Sequence, residues 1–204
     1  MKTVSRFCIL IIISTLFFSA CAEPVAPAVD SELLTYSVEC SDTSLLADIT
    51  YLDETNELIK LTDEELPWSV SVEVQDSAFI GVAYLKVEID SSEVFTSYAN
   101  DVNTGVSSYK LIDGDADFEA SGVEVDDVIY IDPDSLQYTT VDAVDSATTL
   151  TLSSDLFEAI STDYFIYEVK TLTATADYNG ETLDTVSAES ERSLSCLIQE
   201  SIDL

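Results

Sequence analysis

Apolar and polar residues alternate along most of the chain after residue 33, and this alternation predicts β-strands. Successive side chains of a strand point to opposite faces, so a period of two marks a segment with one buried face. An Asn-Gly pair at 179–180 separates two such segments and predicts a hairpin, because a type I′ turn needs positive φ at both central residues. The predicted strands are residues 34–40, 46–52, 57–62, 66–74, 79–89, 172–178, 182–186 and 194–204.

The first 20 residues have a different pattern, which predicts a signal peptide. Two basic residues, Lys2 and Arg6, precede a predominantly apolar run at 7–18, and small residues follow it. The run is shorter than the roughly 20 apolar residues of a membrane-spanning helix, which disfavours a transmembrane anchor. A plain secretory signal remains open, since Ser-Ala also suits ordinary signal peptidase. We expect residues 21–32, with their prolines and alanines, to form a tether.

Residues 16–21, which end in Ser-Ala-Cys21, resemble the lipobox of bacterial lipoproteins. In that class the cysteine is lipidated and becomes the first residue of the mature protein. The resemblance implies that Cys21 carries lipid, including palmitate, and anchors the chain to a membrane of the bacterial cell envelope. Ala22 follows the cysteine where retention in the inner membrane typically uses aspartate, so the resemblance also implies the outer membrane.

The composition is strongly acidic, with 40 Asp and Glu against 7 Lys and Arg and a formal net charge of −33. Such a surface repels phosphate groups, which excludes a nucleic-acid partner. The acids alternate with Val, Ile, Leu and Tyr, so the chain can bury a core, unlike a disordered acidic tail. A surface adapted to salt and a surface that collects cations both remain open. The absence of histidine removes His-based catalysis and His metal ligands.

Cys40 and Cys196 are the two cysteines that remain once the signal is removed and Cys21 is lipidated. They lie in the first and last predicted strands. We predict a disulfide between them, because an exported protein meets an oxidising compartment. The bridge requires these strands to come together, with Cα atoms about 4.4–6.8 Å apart. Two buried free thiols are the alternative.

The motif Leu-Pro-Trp-Ser at 66–69, set among alternating runs, resembles the small β-sandwich of MmpS-type exported proteins and related bacterial lipoproteins. The resemblance covers residues 33–90 and 168–204. It implies an all-β fold, an Ig-like β-sandwich built from two separate parts of the chain. It also implies an accessory role in transport or in the envelope rather than catalysis. We expect Trp68 to be a core residue of this sandwich.

Residues 91–167 interrupt the sandwich pattern. Their run Val-Asp-Ser-Ala-Thr-Thr-Leu-Thr-Leu at 144–152 is similar to part of a small β-barrel module in phage virion proteins and bacterial surface proteins. The resemblance implies an inserted barrel domain with a structural or binding role. Insertions of this kind are tolerated at loops whose two ends lie close together.

A cluster of acids in the insert has the alternation of a calcium loop. Asp113, Asp115, Asp117 and Glu124 could offer carboxylate oxygens to Ca²⁺, with Glu124 at the twelfth position of the loop. Phe118 occupies the sixth position, where such a loop needs glycine for its sharp turn. The alternative is a solvated acidic turn whose Phe118 fills the core.

Two other groups of residues have both a functional and a structural interpretation. Asp126, Asp127, Asp132 and Asp134 could pair for glycoside chemistry, but so many acids produce such pairs by chance. The ten tyrosines could form a platform for a sugar or a protein partner, although aromatics in strands usually pack across them.

Three classes of function follow. We expect a non-enzymatic cell-envelope lipoprotein that displays a structural or binding β module. The second class is an accessory subunit of a membrane transport or envelope assembly complex, with an envelope protein as partner. The third is a calcium-dependent surface binding protein. An enzyme is disfavoured, because the chain has neither histidine nor a recognisable nucleophile motif.

Overall fold

The computed structural model describes residues 31–75, 81–89, 97–134 and 136–202. The predicted signal peptide, the predicted lipidation site Cys21 and most of the predicted tether lie outside these ranges. Within them, no helix is long and apolar enough to span a bilayer. The prediction of an all-β fold is confirmed, because strands make up most of the described chain and its helical part is one four-residue turn.

Fifteen strands and one four-residue helix make up the described elements. In chain order they are β1 (Ser31–Cys40), β2 (Leu46–Leu52), β3 (Leu58–Glu65), β4 (Trp68–Gln75), β5 (Ala83–Ile89), β6 (Ala99–Val102), β7 (Gly105–Ser107), β8 (Lys110–Ile112), α1 (Phe118–Ser121), β9 (Val128–Tyr130), β10 (Tyr138–Ser146), β11 (Thr149–Leu152), β12 (Asp163–Tyr167), β13 (Lys170–Tyr178), β14 (Glu181–Ser190) and β15 (Leu194–Glu200).

Two four-stranded antiparallel sheets form the β-sandwich. One has the strand order β14-β13-β1-β4 and the other β15-β5-β2-β3. The inward-facing residues of both sheets share one core, because alternate side chains of each strand point to the same face. In β1 these are Leu34, Tyr36, Val38 and Cys40, all buried. The strands that build the sandwich come from both sides of the segment that forms the third sheet.

The register of β1 against β13 defines two poles of the sandwich. Leu34 lies opposite Tyr178 and Cys40 lies opposite Leu172. The chain therefore enters β1 at the pole that carries the Asn179-Gly180 turn, which we call the N-terminal pole. Asn179 and Gly180 both have positive φ, as the sequence predicts for this hairpin.

The third sheet joins the sandwich at the opposite pole, which we call the insert pole. Strand β13 begins at this pole with Lys170, next to the end of β1. Strand β5 ends there too, since its last residue Ile89 pairs with Leu194, the first residue of β15. Both connections to the third sheet thus leave the sandwich at the same pole, as an insertion in a loop requires.

The third sheet has seven strands in the order β6-β12-β9-β10-β11-β8-β7 and curls into a partial barrel. Strands β6 and β7 are its two edges, yet only two residues, Asn103 and Thr104, separate them in the chain. The two edges therefore meet at a seam. The barrel encloses its own core, made of large apolar side chains: Leu111, Phe118, Ile129, Val141, Leu150, Leu152, Phe157, Tyr164 and Ile166.

Asn103 holds this seam together from a buried position. Its amide nitrogen donates to the carbonyl oxygens of Gly105 (3.1 Å) and Ala159 (2.9 Å). Its side-chain oxygen accepts the backbone N–H of Thr162 at 2.7 Å. The side chain is 1% exposed, so a partner left behind by its removal would have little access to water.

The sequence did not predict the helix α1, which is one turn long. Asp117 caps its N-terminus by accepting the backbone N–H of Ala120 at 3.0 Å. Gly122 closes its C-terminus in the left-handed region, with φ of 79°. The turn presents Phe118 to the barrel core, where its ring lies 6.0 Å from that of Tyr164. The expectation that Phe118 fills the core is confirmed.

We predict that Asn103→Ala destabilises the barrel by about 2–3 kcal/mol, because it leaves two carbonyls and one N–H without their partner. Chemical denaturation followed by far-ultraviolet circular dichroism measures the change in the free energy of unfolding. The exposed residue Asn100 offers a matched control, and Asn100→Ala should alter stability by less than about 0.5 kcal/mol. Equal losses in the two variants would show that Asn103 does not hold the seam.

Candidate interaction site at the junction

A cluster of aromatic rings on the outer face of the barrel meets the sandwich at the insert pole. Tyr130 of β9 lies at its centre, with ring centroids 5.5 Å from Tyr138 and 5.8 Å from Tyr167. The β14–β15 turn of the sandwich supplies Glu191 and Arg192. These five residues form what we call the junction cluster.

A hydrogen bond and a cation–π contact join the barrel residues of the junction cluster to its sandwich residues. The Tyr130 hydroxyl donates to the Glu191 carboxylate, and the Arg192 guanidinium lies 3.9 Å from the centroid of the Tyr130 ring. A cation over an aromatic face is attracted by the ring quadrupole. Burial and the bond to Glu191 raise the pKa of Tyr130 to about 12, so its hydroxyl stays protonated as a donor.

The outer rim of the junction cluster is exposed. Tyr138 is 57% exposed, and Leu136, two residues before it, is 91% exposed. Large apolar side chains at such exposure are normal when scattered, but the Tyr138 ring here also packs against the ring of Tyr130. The structure therefore supports both interpretations of the tyrosines: Tyr130 and Tyr167 pack, while Tyr138 presents an open ring surface.

A cavity of about 320 Å³ lies beside the second connection between sandwich and barrel. We call it the junction pocket. Three carboxyl groups line it, those of Glu124, Asp127 and Glu168, together with Tyr98, Ser121 and Gly122. Tyr98 and Glu168 belong to the two connecting segments, so both connections contribute to one pocket.

Asp127 is the most buried acid of the junction pocket. Its carboxylate accepts the Tyr98 hydroxyl and, at 2.8 Å, the backbone N–H of Glu124. Burial raises the pKa of Asp127 despite these two bonds, and the negative charges of Glu168 and Glu124 act in the same direction. Burial and the bond to Asp127 likewise raise the pKa of Tyr98.

Lys170 ties the pocket to the sandwich. Its ammonium group lies 2.6 Å from Glu168 and 3.0 Å from Asp42, on the β1–β2 loop. Burial lowers the pKa of Lys170, but the two carboxylates outweigh it and the net shift is upward. The Ser44 hydroxyl and N–H, with Lys170, lower the pKa of Asp42 to about 2. This ion pair stays charged over the physiological range.

The predicted calcium ligands do not converge on one point. Asp113 is buried in the barrel core, where it accepts the hydroxyl of Tyr164 at 2.7 Å. Asp117 caps α1, and Glu124 lies at the junction pocket. Among the residues that the structure describes, no group of three acidic or sulfur side chains is arranged to hold a metal ion. Asp113 is thus a structural acid, which the alternating pattern alone did not reveal.

The predicted disulfide is not present in the structure, because Cys40 and Cys196 are both buried free thiols. The prediction required the first and last strands to come together as a pair. They do not pair, because β1 and β15 belong to different sheets. Leu172 of β13 lies beside Cys40, and the Cys196 thiol donates towards the Leu172 carbonyl at 3.6 Å. The Cys196 thiol therefore contacts the backbone of β13 and not the Cys40 thiol.

Trp68 is half-buried at the edge of the sandwich rather than at its centre. Its ring centroid lies 5.7 Å from that of Tyr51, and Tyr51 lies 5.9 Å from the buried Tyr36. The three rings form a line from the core to the surface. Trp68 packs against the core, as expected, but it also keeps one side open to solvent.

No protein-family model matches this chain, and no curated protein matches it either. The resemblances to lipoproteins, to MmpS-type sandwiches and to a phage barrel module therefore stay predictions.

We predict that Asp127→Asn stabilises the protein at pH 7. The amide oxygen can keep both hydrogen bonds of the carboxylate without a buried charge. Because the pKa of Asp127 is raised in the folded state, its carboxyl group contributes its full stabilisation to the wild type below the ordinary pKa of 3.8. This contribution is lost as the pH rises through the raised pKa. The gain should therefore shrink as the pH falls towards 3.8, which urea unfolding at several pH values measures.

The neighbouring Asp126 is exposed and provides the control, because Asp126→Asn removes the same charge without burial. Both variants reduce the overall negative charge equally. If Asp126→Asn stabilised the protein as much as Asp127→Asn with the same pH dependence, general charge repulsion would explain the gain and the pocket would not.

Proposed function

We propose that the protein is a non-enzymatic lipoprotein of the bacterial cell envelope that displays its partial barrel away from the membrane. The observation that carries this proposal is the position of the two poles. The chain enters β1 at the N-terminal pole, whereas both connections to the barrel leave the sandwich at the insert pole. The sandwich then acts as a spacer between a lipid on Cys21 and the barrel.

The length of the sandwich strands suits this spacer role. Strand β13 runs between the poles in nine residues, and its eight steps of about 3.3 Å each span about 26 Å. The predicted tether of residues 21–32 adds reach of its own. A module held at this distance remains clear of anionic headgroups, which a chain with a net charge of −33 would otherwise meet unfavourably.

The junction supports display of a module in a fixed orientation. The contacts of Tyr130 with Glu191 and Arg192 join the barrel to the sandwich. Two others fix the connecting segments, Tyr98 to Asp127 of the barrel and Glu168 to Lys170 of the sandwich. A flexible linker would need none of them. The exposed rim at Leu136 and Tyr138 then faces a constant direction.

The same exposed rim favours the second candidate, an accessory subunit with an envelope protein as partner. Aromatic residues at the centre of an interface contribute most to binding. A stoichiometric partner recovered from envelope fractions with wild type, and lost with Tyr138→Ala, would favour the accessory role over display alone.

We predict that Cys21→Ser abolishes incorporation of labelled palmitate and releases the protein from the membrane fraction. The thiol of Cys21 is the acceptor that the lipobox resemblance implies, and a serine hydroxyl cannot replace it in thioether formation. Metabolic labelling followed by detergent phase partitioning measures both effects.

Cys8→Ser provides the matched control, since Cys8 lies inside the predicted signal and is removed with it. This variant should be labelled like the wild type. A wild-type protein that takes up no palmitate and remains in the aqueous phase would overturn the lipid anchor, whatever the variants do.

A further inference from the structure

Strand β4 is an open edge of the sandwich. It pairs with β1 on one side through eight consecutive residues without a register shift, and no strand among the residues that the structure describes pairs with its other side. An edge strand carries a row of N–H and C=O groups that can pair with another chain. Between Trp68 and Gln75, β4 has a single charged residue, Glu73, and no proline.

The edge strands β3 and β14 have features that discourage pairing with another chain. Strand β3 has a register shift against β2, positive φ at Asp63 and charges at its end. Strand β14 also has a register shift and three acids, and it lies against β15, whose Cys196 thiol approaches the Val186 carbonyl at 3.9 Å. Bulges and charges of this kind discourage pairing. Strand β4 has no register shift, and Glu73 is its one charged residue.

Half-buried apolar side chains line the same side of the sandwich. Val70 and Val72 of β4 face inwards but remain half-buried, and Ile59 and Leu61 of β3 are half-buried opposite them. Leu61 pairs with the buried Ile49, so it shares the inward face of its sheet. An extended segment added to β4 would cover these side chains with its own alternate apolar residues.

The half-buried carboxylate of Glu32 lies at one end of this edge. Glu32 of β1 pairs in register with Val74 of β4, and it shares the inward face with Leu34 and Tyr36. Its Oε2 atom is buried and accepts no hydrogen bond from any residue that the structure describes. A buried carboxylate oxygen in this state is costly, and an incoming ammonium or guanidinium group would satisfy it.

The negative net charge of the chain favours a basic partner at the β4 edge. Two copies of a chain with a net charge of −33 repel each other, which disfavours pairing of β4 with its own copy. A basic segment is attracted by the same charge and can place a Lys or Arg near Glu32. We propose that β4 binds an extended segment of a partner protein by strand addition, the segment having apolar residues along its inward face and a basic residue at the end of that face, beside Val74 and Glu32.

The proposal rests on the edge of the sandwich and not on the lipid anchor or the junction. It can therefore be tested on the full chain in detergent, whether or not Cys21 is lipidated. Failure of strand addition would leave the proposed display function untouched, and loss of palmitate labelling would leave strand addition untouched.

The probe is a seven-residue peptide, acetylated and amidated, with the sequence Lys-Thr-Val-Thr-Val-Thr-Lys, whose lysines and valines share one face, so that a lysine lies beside Val74 and Glu32 in either strand direction. We expect it to bind the detergent-solubilised chain and to slow hydrogen exchange of β4 backbone amides at least tenfold at saturation. Two analogues, N-methylated at the odd or at the even positions, block one edge of the peptide each. At least one of them should bind at least tenfold more weakly, because an N-methyl group removes the donor that strand pairing needs.

Variants of the protein test the two determinants separately. Val72→Lys places a charge in the apolar face and should weaken binding at least tenfold, whereas Val186→Lys on the β14 edge is the matched control and should not. Circular dichroism must show that both variants fold. Glu32→Gln should reduce the preference for the basic peptide over an analogue with threonine in place of both lysines by severalfold.

Four results would overturn the proposal. They are no binding of the basic peptide at millimolar concentration, equal binding of the parent and both N-methylated analogues, and equal effects of Val72→Lys and Val186→Lys. The fourth is self-association of the wild type that Val72→Lys abolishes, which would assign the edge to a second copy of the chain.

Discussion

The register of β1 against β13 constrains where every other part of the molecule can lie. Because Cys40 pairs with Leu172, the start of β13 must lie at the end of β1, and the insert must emerge there. The antiparallel pairing of β5 with β15 brings the other connection to the same pole. A shift of one residue would move the buried set of β1 to the solvent face, so the hydrophobic core itself maintains this geometry. The spacer arrangement is thus a consequence of core packing.

The junction brings basic residues together with several carboxyl groups. Of the few basic residues, Lys170 and Arg192 both lie where the barrel meets the sandwich, each beside a carboxylate or an aromatic ring. In so acidic a chain these cations reduce repulsion at the point where two bodies approach most closely. The tyrosine hydroxyls at this place serve as donors to carboxylates, and their raised pKa values keep them protonated at physiological pH.

Most of the sandwich could be predicted from the sequence, because each of its strands has one buried face and a period of two. Strand β2 was predicted at its observed bounds, and the Asn179-Gly180 hairpin was predicted from the turn residues alone. The junction could not be predicted in this way, since Tyr130, Glu191 and Arg192 are far apart in the chain and carry no local pattern. The sequence left a calcium site and a structural turn both open at Asp113, because alternation does not distinguish a solvated acid from one that a buried tyrosine binds. The disulfide prediction failed to anticipate that the first and last strands would belong to different sheets.

The central claim is that the sandwich holds the barrel away from the N-terminal pole, where the chain enters β1. A distance measurement between this pole and the barrel tests the claim most directly. Spin labels at Glu181→Cys and Ile160→Cys mark two exposed positions, while Cys40 and Cys196 are buried from the label. Double electron–electron resonance should give one narrow distribution centred beyond about 26 Å, the length of strand β13. A distribution centred at a shorter distance would contradict the account, because the barrel would then lie back along the sandwich. A broad distribution would also contradict it, since the junction contacts would not hold the barrel in place.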